Sequence, residues 1–140
     1  MLLDVLDTVR GLLPMRDGFV RVGVDGVDGS GKTTLADSLA EHLRGHGRDV
    51  VRIREDDFLA PRAVRYRLGR TSPEGYLADS YDLDRLRADV LDPFGPHGDG
   101  RYRDRALDLG TDTVLDPPWR QAPSGAVLVL DGMFLHRDEL

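Results

Sequence analysis

The 140-residue chain contains no cysteine. Disulfides, thiol catalysis and zinc–thiolate sites are excluded. Lysine is almost missing: of 19 basic residues, 18 are arginine and one, Lys32, is lysine. Arginine is a wide planar fork and lysine a slim stem with a compact charge, so Lys32 suits a narrow passage. An excess of positive charge is also missing. The formal charge is −6, so no general attraction to nucleic acid or to an anionic membrane is expected. Any bound anion must be held locally. No apolar run approaches the roughly 20 residues of a membrane-spanning helix. The opening segment has no positive flank and carries Asp4 and Asp7. It reads as an amphipathic helix and not as a signal peptide, so a cytoplasmic location is expected.

What is present fits a soluble globular domain, with 40% apolar and 31% charged residues. A single domain over 1–140 is expected, with a leading helix in 1–17 and a core over 18–140. Leu2, Leu6, Val9 and Leu13 share one face of a helix that Pro14 and Gly18 end. Phe19–Val24 alternates and is rich in β-branched residues, the pattern of a strand. A glycine-rich loop follows. Leu35, Leu39 and Leu43 then mark a helix over Lys32–Arg44, and Val50–Ile53 a second strand. Strand, helix and strand in this order imply a parallel sheet with a right-handed crossover. Ligands of such sheets bind at the carboxyl ends of the strands. Further on, Ser72-Pro73-Glu74 resembles a helix start, and Leu83–Leu91 has helical spacing. A two-stranded excursion is expected over Tyr102–Val114. Ala126–Leu130 is a continuous apolar run, the mark of a strand buried on both faces.

The loop between the first strand and the first core helix reads Gly26-Val27-Asp28-Gly29-Ser30-Gly31-Lys32-Thr33, followed by Thr34. This is a complete P-loop pattern in its proper context. Glycines let successive backbone N–H groups turn inward on phosphate oxygens, and the following helix offers a positive N-terminus. Lys32 is expected to reach the β- and γ-phosphates of ATP, and Thr33 to ligate Mg²⁺. Asp131 closes the apolar run, where an acid organises Mg²⁺ or caps the following loop. Asp56 and Asp57 lie just past the second strand, and either could accept the proton of an attacking hydroxyl.

Together, Gly26–Thr34, Asp56-Asp57-Phe58, Tyr81-Asp82 and Val129–Gly132 resemble the uridine kinase and phosphoribulokinase group of P-loop kinases. The resemblance implies an α/β fold: a parallel sheet of three core strands flanked by helices. It selects Asp56 as catalytic base and places Tyr81 and Asp82 at a small-molecule acceptor such as a nucleoside. The family element that holds a nucleobase corresponds to Leu107–Asp112, where its tyrosine and histidine are replaced by Leu107 and Asp112. The family also extends beyond the residue equivalent to Leu140, with a lid and later strands. Without those strands Phe19–Val24 becomes an open sheet edge, through which self-association is expected. Two alternatives stand beside an active uridine kinase-like enzyme: a nucleotide-binding fragment without turnover, and another P-loop small-molecule kinase. Arg62, Arg65, Arg67 and Arg70 could grip substrate phosphate or replace lid arginines, but read first as a solvated face. His42, His46, His97 and His136 show no metal-ligand spacing with one another; His42 and His46 read as a solvated helix end, and Trp119 as a packing anchor.

Overall fold

The computed structural model describes residues 1–14, 18–27, 29–133, 135 and 140. Helix α1 (Leu2–Leu12) stops one residue short of the expected end. Leu13 is extended, at φ −81° and ψ 127°, because the ring of Pro14 disfavours helical backbone in the residue before it. Strand β1 (Val20–Asp25), helix α2 (Lys32–Gly45) and strand β2 (Val50–Arg54) form the expected βαβ unit. Helix α2 buries Ala36, Leu39, Ala40 and Leu43. It ends where Gly47 takes a φ of 83° and its amide reaches the Arg44 carbonyl at 3.0 Å.

Short elements follow. A 3₁₀ turn (Glu55–Phe58) leads to the single turn α3 (Arg62–Arg65) and to α4 (Pro73–Asp79). Ser72 starts α4 as read from the sequence: its hydroxyl accepts from the Gly75 amide at 3.1 Å, with Pro73 in the first helical position. The predicted helix over Leu83–Leu91 begins as α5 (Leu83–Leu86) and widens into a π-helical turn over Arg87–Leu91. The excursion over Tyr102–Val114 is corrected into two ribbons. Strand β3 (Arg101–Tyr102) pairs antiparallel with β6 (Arg120–Gln121), and β4 (Leu107–Asp108) with β5 (Thr113–Val114).

The last strand, β7 (Val127–Gly132), is buried at every position and lies in the middle of the sheet, in the order β1–β7–β2. Both neighbours run parallel to it. Its alternation divides the core. Val127 and Val129 meet Leu6 of α1 and Ala36, Leu39 and Leu43 of α2. Leu128 and Leu130 face the opposite layer, with Ile53, Phe58, Leu86, Val90 and Phe94. Each such fully buried side chain contributes about 1.5–3 kcal/mol. The order places β1 on the rim, and no strand lies beside its outer edge among the described residues. Among those residues, no helix is long and apolar enough to cross a membrane.

Candidate functional site

Strand β1 ends at Asp25 and the chain turns back over the sheet edge. The Gly26 amide donates to the Gly132 carbonyl and the Ser30 amide to the Val27 carbonyl, each at 3.2 Å. A Cβ on Gly26 would lie 2.6 Å from the Ser30 hydroxyl, so the tightness of the turn requires glycine there. Gly29 and Gly31 take φ values of 77° and 85°, the left-handed region open to glycine. Helix α2 then starts at Lys32 after Gly31, a cap residue with no side chain to bond the first amides. Amides at a helix N-terminus are a ready anion site. Val27, Gly29, Ser30, Gly31 and Thr34 are exposed, and Lys32 and Thr33 are half-buried. Asp28 lies outside the described residues.

Beneath the loop, the Thr33 hydroxyl donates to Oδ2 of Asp131 at 2.6 Å. Asp131 is buried. Its other oxygen lies 2.7 Å from Nη2 of Arg52, a charge contact outside hydrogen-bonding angles. Arg52 is itself held, by Nε to Asp37 at 2.9 Å and by Nη1 to the Ile53 carbonyl. The donor set fits Mg²⁺: two adjacent hard oxygens, one from a carboxylate, at the mouth of a phosphate loop.

Glu55 joins this end of the molecule to the next. It is fully buried, and its Oε1 accepts from the Met133 amide at 2.9 Å. A Cβ on Gly132 would lie 2.7 Å from both Cβ and Oε1 of Glu55. The glycine after Asp131 is therefore needed for this close passage.

Asp56 opens into a cleft of about 260 Å³ walled by Arg65, Arg70, Tyr76, Tyr81 and Met133. Its side chain is 45% exposed, with Nη2 of Arg54 3.7 Å away. Tyr81 donates its hydroxyl to Oδ1 of Asp56 at 3.3 Å. Burial, with the charges of Glu55 and Asp56, raises the Tyr81 phenol far above its ordinary value, so it stays a proton donor. Tyr66 lies under two guanidinium groups, Arg65 at 5.4 Å and Arg70 at 5.1 Å from its ring centre.

The solvated-face reading fails for Arg65, which is half-buried, and holds for Arg62, Arg67 and Arg70, which are exposed; Arg65 and Arg70 both line the Asp56 cleft. Arg67 instead pairs with buried Asp79 at 2.8 Å. The Arg62 amide is held by Oδ1 of Asp112 at 3.0 Å, and Asp112 also comes within 4.0 Å of Arg65. Leu107 is buried. The hairpin of β4 and β5 therefore braces α3 behind the cleft.

The remaining candidates are placed differently. The Asp57 carbonyl accepts from the Ala106 amide at 2.8 Å. Burial pushes its carboxyl above the ordinary range, against the pull of Arg54. Asp82 caps α5 by accepting from the Arg85 amide at 3.2 Å. It lines a neighbouring cleft with Tyr81, Ala60 and Pro61. Tyr81 lines both clefts, with Asp56 in one and Asp82 in the other.

No family model matches the chain, and no curated protein matches it in sequence. Solved structures do. A protein from Bacillus stearothermophilus described as a possible uridine kinase superposes with a TM-score of 0.79 at 29% identity, over 99% of this chain and 74% of its own. The chain has a P-loop kinase-like fold. A protein from Silicibacter sp. TM1040 described as a possible fructose transport system kinase shares the fold, at a TM-score of 0.68 and 22% identity. That match covers 96% of this chain and 64% of the other.

Within this P-loop kinase-like fold, sequence reasoning gave no role to Arg52, Glu55 or Tyr76. A signal existed for Arg52, which alternates with Val51 and Ile53 and so shares the α2 face of β2 with Val50, where it meets Asp131. A signal existed for Glu55 too: Gly132, at the end of a strand with no turn demanding it, marks a close neighbour. Tyr76 carried none, because its hydroxyl reaches the Met133 sulfur at 3.2 Å across 57 residues of chain.

Proposed function

We propose that the chain transfers the γ-phosphoryl group of ATP to a hydroxyl of a nucleoside-like or related small molecule. The observation carrying this reading is one of placement. Asp56, half-exposed, opens into a cleft that Met133 also walls, two residues beyond the Asp131 that receives the Thr33 hydroxyl. Phosphate loop and base candidate therefore share one sheet edge.

The loop amides and Lys32 bind and orient the triphosphate tail. Thr33 and Asp131 would hold Mg²⁺, which when bound supplies neutralisation of phosphate charge. Asp56 takes the proton of the acceptor hydroxyl as its oxygen bonds to the γ-phosphorus and the bond to the departing ADP oxygen breaks. Tyr81 holds the Asp56 carboxylate through one hydrogen bond. The work is positioning and electrostatics.

The cleft favours an acceptor that carries a negative group over plain uridine. Arg65 and Arg70 offer two guanidinium groups opposite Asp56, and the residues at the nucleobase-holding positions, Leu107 and Asp112, serve packing and α3 instead. This supports the reading of another small-molecule kinase beside the nucleoside one.

A phosphoryl-transfer assay over neutral and anionic alcohols tests the proposal. Asp56→Asn should lower kcat by about 10²–10⁴, or about 3–5 kcal/mol of barrier, while Mg-ATP affinity by calorimetry stays unchanged. Equal turnover in the variant removes Asp56 from the reaction. Mg-ATP binding with no turnover on any acceptor identifies a nucleotide-binding fragment.

A further inference from the structure

We propose that Asp7, His42 and His46 form a binding site for a zinc-class divalent cation that clips α1 to α2. One ligand atom from each residue lies within 4.8 Å of the others. His42 and His46 stand one turn apart on α2, their ring centres 4.5 Å from each other, so both imidazoles leave the same helix face. Asp7 arrives from α1 and places its Oδ1 2.8 Å from Nε2 of His42.

The second nitrogen of His46 is already assigned. Its Nδ1 lies 3.0 Å from the His42 carbonyl. A carbonyl can only accept, so Nδ1 carries the proton and Nε2 keeps its lone pair. Metal-binding histidines are prepared in this way, with one ring nitrogen tied to a backbone oxygen and the other free to bind. Asp7 supplies a carboxylate oxygen, and the proton shared between its Oδ1 and Nε2 of His42 is displaced when a cation takes its place. The nearest competing cation is Arg10, whose Nη2 is 3.5 Å from Asp7.

Zinc–nitrogen and zinc–oxygen bonds of about 2.0–2.2 Å set tetrahedral ligand atoms somewhat over 3 Å apart. The Asp7–His42 pair must open slightly and the widest separation close slightly, which exposed side chains can do. Two imidazoles and one carboxylate select zinc, copper or nickel over Mg²⁺ and Ca²⁺. The site is thus chemically unlike the oxygen pair Thr33–Asp131 and independent of the kinase reading. Its benefit falls on α1. That helix buries Leu6 alone, while Leu2, Leu3, Val5 and Leu12 are exposed. A metal bridge from Asp7, the neighbour of Leu6, would fasten the helix at its anchor point.

The test is a calorimetric titration of the metal-free chain with Zn²⁺ at neutral pH, in the presence of Mg²⁺. One equivalent should bind saturably, and the melting temperature should rise. His42→Ala, His46→Ala and Asp7→Asn should each weaken Zn²⁺ binding at least about tenfold and abolish the thermal shift. Unchanged Mg-ATP binding in each variant certifies its fold. Absence of saturable binding at zinc concentrations on the order of 100 µM, or equal binding in all three variants, overturns the proposal.

Discussion

The phosphate loop and the Asp56 cleft share one edge of the sheet but are built from opposite materials. The loop rests on long regular elements: six residues of β1, 14 of α2 and six of β7. Backbone contacts run from Gly26 to Gly132 and from Ser30 to Val27, and the polar pair beneath it, Thr33 and Asp131, is fixed by neighbours on adjacent elements. The cleft rests on a 3₁₀ turn, a four-residue α3 and a seven-residue α4. It is held by side chains: Tyr81 to Asp56, Tyr76 to Met133, Arg67 to Asp79. A polyphosphate tail is the same in every nucleotide, so backbone amides suffice to hold it. An acceptor differs from enzyme to enzyme, and replaceable side chains on short segments can be retuned without disturbing the core.

Lys32→Ala should break the first region and spare the second. We expect Mg-ATP binding to weaken by about 100-fold or more, close to 2.7 kcal/mol, with the cleft intact. Because Lys32 is the only lysine, an amine-directed reagent should label that residue and the N-terminus alone, and Mg-ATP should block the former. Undiminished nucleotide binding in calorimetry would sink the phosphate-loop assignment.

Gly132→Ala probes the joint between the two regions. The new methyl would lie 2.7 Å from a fully buried Glu55 side chain that has no room to retreat. Overpacking of this kind costs about 1–3 kcal/mol. A lowered urea midpoint should be accompanied by losses at both sites, since Asp131 and Met133 flank the glycine. A variant as stable as the parent would show that Glu55 moves freely.

Arg65→Gln should act on the cleft alone. For an acceptor bearing a negative group, KM should rise about tenfold, or about 1.4 kcal/mol, with kcat and the KM for ATP unchanged. An equal KM for charged and neutral acceptors in parent and variant would remove the arginine from acceptor recognition.

The same contrast explains what could be read from the residues beforehand. Elements of 14 and six residues carry a period that survives inspection: Leu35, Leu39 and Leu43 mark α2, and the run from Ala126 to Leu130 marks a central strand. The loop residues are contiguous, so their joint role was visible. Strands of two residues have no period, which is why one two-stranded excursion was expected where two ribbons form. Arg65 looked like part of a solvated face because charge alone says nothing about the walls around it. Glu55 sat in an acidic run and yet is buried. The approach of Asp7 to His42 depends on how α1 lies across α2, which no local pattern encodes. Trp119, expected as an anchor, is partly exposed and covered by the Arg103 guanidinium at 4.3 Å.

The smallest effect belongs to Asp57, at the seam where β2 gives way to the cleft. Burial is the main influence on its carboxyl and raises its pKa, with Asp56 and Asp104 adding to the rise and Arg54 opposing it. A carboxyl whose pKa is higher in the folded chain than the unfolded value of about 3.9 costs stability once it ionises. Its favourable contribution is complete below the unfolded pKa and is lost as pH rises through the folded one. Asn cannot ionise and leaves untouched the backbone bond from Ala106 to the residue 57 carbonyl. Asp57→Asn should therefore raise the urea midpoint at neutral pH, and the gain should vanish below about pH 4. A parent chain at least as stable as the variant at neutral pH would mean that Arg54, and not burial, governs this carboxylate. Asp57 would then stand as a competitor to Asp56 for the proton of the acceptor.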